Sequence, residues 1–100
     1  MKEVRERVIK VGRGKVSRYL LRILDYFFSG FDKVTLLAGG WRMSKALVIA
    51  KLAEERLFYK IADVEFEFTE VEQKKNDKIK RIYFPGIKIT LVRSGEVPTA

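Results

Sequence analysis

The sequence has no cysteine and no histidine in its 100 residues, and only 2 prolines. These absences exclude disulfides, thiolate and imidazole catalysis, Ser-His-Asp triads, and metal sites built from thiolate or imidazole ligands. No apolar run approaches the roughly 20 residues that a membrane-spanning helix needs, and the charged first residues do not resemble a signal peptide. The sequence therefore predicts one small cytoplasmic domain with no metal and no other cofactor.

The charge of the chain is strongly basic and unevenly distributed. There are 21 Lys and Arg residues against 13 Asp and Glu residues, which gives a net charge of +8. Residues 1–30 carry 8 basic and 3 acidic side chains, residues 31–73 carry 6 and 8, and residues 74–100 carry 7 and 2. Positive charge is thus concentrated in the two end segments. This distribution favours a polyanionic partner, with nucleic acid ahead of an anionic membrane surface.

The first half of the chain alternates strand and helix patterns. Residues 8–11 and 34–38 are short apolar runs that predict strands, and the second run, apolar on both sides, predicts a central strand. Each run is followed by glycines and then by apolar residues at i, i+3 and i+4 spacing, which predicts a helix. Gly30 is placed to end the first helix, and Ser44 or the residue before it begins the second. This order predicts a right-handed parallel unit.

The last third of the chain has the two-residue period of strands. Apolar side chains alternate with acidic ones in residues 63–68 and with polar ones in residues 87–91. The pattern predicts two strands, the first with one buried face and one acidic face in water. Phe66 and Phe68 are predicted in the core, as is the aromatic run at residues 26–28.

Residues 70–84 are predicted to form a protruding arm. The alternation loses its phase at residues 69–70 and again at residues 85–86, and a turn at Asn76 and Asp77 brings these two breaks opposite each other. We expect paired bulges or a bend there, beyond which the hairpin leaves the sheet and is mobile when free. The tip of the arm carries five cations, Lys74, Lys75, Lys78, Lys80 and Arg81.

Three basic segments are candidate contacts for nucleic acid. Two of them are glycine-containing loops between a strand and a helix, where exposed N–H groups and a helix N-terminus can hold a phosphate. Because the two strands are predicted to be parallel, both loops lie at one edge of the sheet. The third segment is the arm, since a two-stranded ribbon has the right width for a nucleic-acid groove. The predicted contacts are Gly12, Arg13, Gly14, Lys15 and Arg18 at the first loop, Gly40, Trp41, Arg42 and Lys45 at the second, and the five cations of the arm.

Each of these segments also has a plain structural interpretation. The first loop can be a tight turn with solvated cations, and it lacks the signatures of a Walker loop or a dinucleotide site. The lysines of the arm can serve only to keep a hairpin tip soluble. Trp41 can stack on a sugar or base or pack within the domain. The carboxylates at residues 65–72 recur two residues apart, as on an exposed strand face or its extension, which does not favour an acid–base or metal site.

Three stretches of the sequence resemble the Alba family of archaeal nucleic-acid-binding proteins. They are VIKVGRGKVSRY at residues 8–19, GFDKV at residues 30–34 and GWRMSKA at residues 40–46, and the resemblance extends over residues 8–93. It implies an α+β fold, a two-layer β-α-β-α-β-β sandwich with a mixed four-stranded sheet and a protruding β-hairpin arm. It also implies a homodimer that coats DNA without sequence specificity, with its arms in the minor groove, and that binds RNA.

The sequence departs from the family pattern in both loops. Arg13 and Gly14 stand where the family usually has two lysines, the first of them a target of acetylation, and Lys15 stands where a proline is common. Arg13 cannot be acetylated on its side chain, so this regulation would require Lys15. Trp41 occupies the position of a family arginine, and Arg42 follows it. The departures indicate a divergent member.

We therefore expect a flexible segment 1–7, a single nucleic-acid-binding domain 8–93 and a flexible tail 94–100. The domain is expected to be non-enzymatic and chromosome-associated, and to bind double-stranded DNA, RNA or both. We expect a homodimer, with a heterodimer with a paralogue left open. The alternative is a scaffold subunit of a ribonucleoprotein such as ribonuclease P, in which the helices and the acidic strand face contact other proteins. A small phosphate-ligand enzyme would need an acid–base group that the sequence does not indicate.

Overall fold

A computed structural model describes residues 5–94, apart from the side chain of Val71. The elements are β1 (Glu6–Lys10), α1 (Val16–Phe28), β2 (Lys33–Gly39), a 3₁₀ turn (Gly40–Arg42), α2 (Met43–Arg56), β3 (Tyr59–Lys75) and β4 (Lys78–Arg93). The four strands form one sheet in the order β1-β2-β4-β3. β1 and β2 are parallel, and the other two pairs are antiparallel. The predicted α+β fold with a mixed four-stranded sheet is confirmed. In the described part of the chain, no helix is both long and apolar enough to cross a membrane.

The first strand begins two residues earlier than the apolar pattern predicts. Glu6 and Arg7 pair with the first residues of β2, and the Glu6 carboxylate lies 3.7 Å from the Lys33 ammonium. These two residues belong to the sheet instead of the flexible segment predicted at residues 1–7, because ladder pairing extends a strand into polar residues that an apolar pattern does not mark. Two further residues of the predicted flexible ends are also bonded to the domain, since the Asp32 N–H donates to the Arg5 carbonyl at 2.9 Å and the Ser94 N–H donates to the Phe58 carbonyl at 2.8 Å. The rest of these ends, at positions 1–4 and 95–100, lies outside the described residues.

Gly30 is the C′ residue that follows the end of the first helix, as predicted. Gly30 has a φ of +86°, which glycine adopts more easily than residues with a Cβ. Its N–H donates to the Phe27 carbonyl at 3.1 Å, and the Phe31 N–H donates to the Tyr26 carbonyl at 3.0 Å. The rings of Phe31 and Tyr26 pack with their centroids 5.4 Å apart. This pair of hydrogen bonds with an adjoining apolar contact is a Schellman cap.

The hydrophobic core lies between the two helices and one face of the sheet. It contains Tyr19, Ile23 and Phe27 of α1, Ala46, Ile49, Ala50 and Ala53 of α2, and Ile9, Val34, Leu36, Ala38, Tyr59, Ile87, Ile89 and Leu91 of the strands. The buried alanines allow α2 to approach the sheet closely. At the edge of the core, the Tyr59 hydroxyl donates to the Phe31 carbonyl at 2.8 Å, and burial raises the pKa of Tyr59.

The prediction that Phe66 and Phe68 are core residues is wrong. Their cross-strand partners are Ile87 and Pro85, so they lie on the same face of the sheet as the core. Their side chains are nevertheless 67% and 74% exposed, because β3 is the outer strand of the sheet and the helices do not cover these positions on it. Strand alternation identifies the face of a side chain but not how far the helices cover that face. Phe28, also predicted in the core, is 74% exposed at the last residue of α1.

The hairpin of β3 and β4 extends beyond the rest of the sheet as the predicted arm. β2 ends at Gly39, whose partner in β4 is Gly86, and from that point outward only β3 and β4 pair with each other. The turn lies at Asn76 and Asp77, as predicted. Their φ values of +52° and +60° are those of the type I′ turn, which matches the twist of a two-residue hairpin. The arm gives the molecule its longest dimension, 61 Å.

Of the paired bulges or bend predicted at residues 69–70 and 85–86, the bulges are absent. The pairing of β3 with β4 is regular from Asp63 to Lys75, and the irregularity in its register lies between Ile61 and Asp63. The apolar residues change from one face of the ribbon to the other, while the register stays constant. This happens because, among residues 5–94, no third strand pairs with the arm and no helix packs on it, so neither face must remain apolar.

Candidate nucleic-acid interface

The three basic segments lie at the same end of the sheet. β1 and β2 are parallel, so the loops that follow Lys10 and Gly39 leave the sheet at one edge. β4 is antiparallel to β2, and its residue opposite Gly39 is Gly86, so the arm also extends outward from this edge. The sequence predicted the shared edge for the two loops. In the structure the arm also begins at this edge.

The first loop is folded onto the buried ring of Tyr19. The Gly12 N–H donates to the Tyr19 hydroxyl at 2.7 Å. A Cβ atom at Gly14 would come within 3.2 Å of the same ring and hydroxyl, which is tighter than most Cβ contacts. Close approach to Tyr19 therefore explains the glycine at position 14, whereas a Cβ at Gly12 would make an ordinary contact 3.6 Å from the hydroxyl. The Gly12 N–H already has a partner within the protein, so anion binding at this loop depends on the start of α1 and on the cations.

The start of α1 combines a helix terminus with a cluster of cations. The N-cap residue, Lys15, provides no side-chain acceptor, and the first turn contains no acidic residue. Arg13, Lys15 and Arg18 are exposed and line a shallow concavity of about 490 Å³. N–H groups without a side-chain cap and the positive end of the helix dipole favour an anion at such a position. The arrangement suits a phosphate group.

Lys45 joins the second helix to the first loop. Its ammonium nitrogen lies 2.7 Å from the Gly12 carbonyl oxygen and 2.9 Å from that of Gly14. The side chain is half-buried. Lys45 is among the predicted phosphate contacts, but two of its three N–H donors are directed at the backbone of the loop. These two hydrogen bonds hold the first loop against the start of α2.

The second loop is a 3₁₀ turn that leads directly into α2. Gly40 has a φ of +58°, the Met43 N–H donates to the Gly40 carbonyl, and the Ser44 hydroxyl donates to the Trp41 carbonyl at 3.3 Å. The start of α2, at Met43, agrees with the prediction. Because the turn uses backbone groups at the start of the helix, the second loop presents mainly the side chains of Trp41 and Arg42.

Trp41 projects from this loop into solvent. It is 74% exposed, so the interpretation that it packs within the domain is wrong for this chain. The Arg42 guanidinium carbon lies 5.0 Å from the centre of the Trp41 ring, within the range of a cation–π contact.

A groove of about 370 Å³ lies between the second loop and the base of the arm. Arg42 and Phe84 line it, and Lys10 and Glu67 add charges of both signs. Within residues 5–94, the buried Nε atom of Arg42 has no hydrogen-bond partner. Lys10, Glu67 and Phe84 are members of this site that the sequence did not predict. No sequence signal marks the groove, because its walls come from four strands and a loop that are distant along the chain.

The arm carries cations on both of its faces. Lys75 and Lys78 are directly opposite each other beside the turn, and like charges at such positions repel. Lys74, Lys75, Lys78, Lys80 and Arg81 are exposed. Arg81 Nε lies 3.4 Å from Glu70 Oε1, but an exposed pair of this kind contributes little to stability. A polyanion would relieve the repulsion between the lysines.

Solved structures of Alba proteins share this architecture. Alba from Thermoplasma volcanium matches 87% of this chain and 100% of its own with a TM-score of 0.75 and 21% sequence identity. ALBA1 from Trypanosoma brucei matches 88% of this chain and 69% of its own with a TM-score of 0.68 and 12% identity. The chain has the Alba fold. No protein-family model and no curated protein matches its sequence, so the likeness to Alba is visible in the structure at low sequence identity.

At the other end of this Alba fold, arginines serve the structure of the domain. Arg5 and Arg7 lie over the Phe31 ring, at 4.5 Å and 4.8 Å from its centre. Arg93 lies 4.0 Å from the centre of the Phe27 ring and donates to the Phe27 carbonyl. Positive charge near the last carbonyls of α1 is favourable because it offsets the helix dipole. These arginines lie away from the end that carries the loops and the arm.

Proposed function

We propose that this protein binds DNA, RNA or both without sequence specificity, in a non-catalytic role. The observation that carries the proposal is the position of the arm, which leaves the sheet at the edge where both basic loops lie. Cations from three distant parts of the sequence can therefore face one ligand. Repeated negative charge is the feature that such a surface matches, and phosphate contacts carry no direct sequence information. The Alba fold supports the same proposal.

The proposed contacts divide into three groups by their structural position. Side chains on the body that contact phosphates are Arg13, Lys15, Arg18 and Arg42, with Trp41 beside them. Cations on the arm that enter a groove are Lys74, Lys75, Lys78, Lys80 and Arg81. Residues that shape the loops are Gly12, Gly14, Gly40 and Lys45. We propose residues 8–93 as the nucleic-acid-binding domain, acting on chromosomal DNA or on RNA in the cytoplasm.

We further propose that two copies of the chain form a homodimer. Val64, Phe66 and Phe68 form an apolar strip on the core face of β3 that the helices do not cover. α2, which packs against β3, exposes Leu47 and Val48. Exposed apolar surface of this extent is typical of a protein interface. A paralogue, or another subunit of a ribonucleoprotein such as ribonuclease P, would fit the same strip and is the alternative partner.

The proposal is tested by measuring affinity for random-sequence duplex DNA and for RNA at several salt concentrations. Each neutralised phosphate in duplex DNA releases counterion, so log K falls against log salt with a slope of about −0.9 per contact, and six contacts give a slope of about −5. We expect similar affinities for duplexes of unrelated sequence. A response to salt that is flat, or binding confined to one sequence, would contradict phosphate-based binding without sequence specificity.

A further inference from the structure

We propose that Trp41 is a stacking platform for an unpaired base, so that the surface prefers single-stranded DNA or RNA to a continuous duplex. This inference rests on the proposed function, because it specifies the class of nucleic acid that the same surface takes. It is carried by the exposure of Trp41 at the cationic end of the sheet and by the mixed chemistry of the adjoining groove.

The surroundings of Trp41 leave its ring available to a ligand. The side chain is 74% exposed and extends from a turn held by the Gly40 φ of +58° and by the hydrogen bond from Ser44 to the Trp41 carbonyl. The Arg42 guanidinium lies over one face of the ring, 5.0 Å from its centre, so a stacking base uses the opposite face. A base that stacks on this indole therefore has a cation next to its own phosphate. Single-strand binding sites combine these two elements, an aromatic face and a positive charge along the backbone.

A duplex cannot use such a platform without being disrupted. Both faces of each base inside a duplex are covered by neighbouring bases, and removing one from the stack costs a few kcal/mol. In a single strand, or in a loop of folded RNA, the bases are already accessible. A large exposed aromatic among phosphate-binding cations thus favours unpaired segments over continuous duplex.

The groove beside Trp41 has the chemistry of a site for base edges. Arg42 lies between the indole and the groove, and Phe84, 46% exposed, lines the same groove. Lys10 and Arg42 provide donors, whereas Glu67 provides an acceptor. The Glu67 carboxylate would repel a phosphate but can accept a hydrogen bond from an amino group of a base. The groove therefore favours a base rather than a phosphate as its occupant.

The fluorescence of Trp41 provides a direct test, because it is the only tryptophan in the sequence. We expect saturable quenching when oligothymidine or oligouridine is added to the full-length protein, since stacking brings a base against the indole. A DNA duplex of the same length should bind with less quenching at saturation. Both strands have unpaired pyrimidine bases, but they differ in the sugar and in the methyl group of thymine. Similar quenching by both strands would therefore assign the effect to the unpaired base.

Substitution of Trp41 gives a second measurement that does not depend on fluorescence. Loss of a stacking aromatic lowers affinity for single strands in comparable sites, so we expect Trp41→Leu to weaken single-strand binding by about tenfold. Affinity for the duplex should change little. Trp41→Phe, which keeps an aromatic face, should retain most of the single-strand affinity. Phe28→Leu is the matched control, because Phe28 is equally exposed but lies at the far end of α1.

The outcomes separate this inference from the proposed function. If Trp41→Leu weakens duplex and single strand equally, or if both quench the fluorescence equally, the preference for unpaired bases is wrong and phosphate binding stands. If the unsubstituted protein binds neither ligand, both proposals fail. A loss confined to single strands, absent in Phe28→Leu, supports the stacking role.

Discussion

Among the cations of the interface, Lys45 is distinguished by its bonds to the protein itself. Its ammonium is held by the Gly12 and Gly14 carbonyl oxygens, so it connects the start of α2 to the loop that precedes α1. Replacing it removes a cation from the surface and also releases the loop that presents Arg13 and Lys15. These two effects can be distinguished. Loss of the surface cation affects only ligand binding, whereas release of the loop also affects the free protein.

We predict that Lys45→Met lowers the free energy of unfolding by about 1.5–3 kcal/mol, the usual contribution of hydrogen bonds made by a charged group. Chemical denaturation of the free protein measures this. Lys51→Met is the control, since Lys51 lies on the same helix, is exposed, and makes only surface ion pairs with Glu54 and Glu55. Equal stability of Lys45→Met and the unsubstituted protein would contradict the positioning role and return Lys45 to the phosphate contacts.

Single residues differ in how well their roles can be predicted from the sequence. Gly30 was predicted correctly because a helix end imposes a local backbone requirement. Gly12 and Gly14 were predicted to lie near an anion site. Their contacts with Tyr19 of α1 were not predicted, because they form only when the first loop packs against that helix. The exposure of Trp41 depends on the course of the loop, which an isolated tryptophan in a sequence does not indicate.

At the scale of elements, the arm is the part of the interface that is easiest to test separately. Its four lysines are exposed, and the arm contributes nothing to the described hydrophobic core. The lysines can therefore be replaced without disturbing the domain. The paired positions of Lys75 and Lys78 suggest that removal of one charge even relieves some repulsion in the free protein.

We predict that replacing Lys74, Lys75 and Lys78 by alanine weakens binding to all sequences about equally. The slope of log K against log salt should become less steep by up to about 2.7 if each lysine contacts one phosphate. Replacing Lys33, Lys51 and Lys60 removes the same charge from positions outside the interface and serves as the control. The same change of slope in both variants would mean that net charge, and not the position of the arm, determines binding.

The helices and strands were largely predictable from the sequence, whereas the extent to which the helices bury the face of the sheet was not. Strand and helix periods marked both helices and all four strands, and the glycine loops marked the parallel pair. Phe66 and Phe68 were assigned to the core because alternation shows which face a residue lies on. How far α2 extends over that face depends on the tertiary arrangement. The bulges were predicted because the two-residue alternation of apolar side chains is interrupted there. This interruption was interpreted as a shift in the pairing of β3 with β4.

At the scale of the whole molecule, the apolar strip on β3 predicts the assembly state. We expect the unsubstituted chain to have twice the 11.6 kDa mass of a single chain in light-scattering or sedimentation measurements. Replacing Phe66 and Phe68 together by serine should give a monomer of unchanged stability, because both side chains are already exposed in one chain. Phe28→Ser is the control, since it removes an equally exposed aromatic from another surface. A dimer that survives the double replacement would contradict the proposed interface.

The interface as a whole was predicted from the sequence in part. The shared edge of the two loops follows from parallel strands, which is a rule of topology. The groove beside Arg42 could not be predicted, because residues from β1, β2, β3 and β4 meet there only after folding. Nor could the sequence divide the cations into those at the proposed interface and those, such as Arg5 and Arg93, that contact residues at the end of α1.

The length of the arm has a consequence for how fast a partner is found. Eight residues of each strand extend past Gly86, which at about 3.4 Å per residue carries the lysines roughly 27 Å from the edge of the sheet. At physiological ionic strength, charge is screened over about 8 Å. An approaching polyanion is therefore attracted by the charges of the tip at a distance where salt still screens the charges of the body. The arm thus enlarges the target for the first encounter, and contacts with the loops follow.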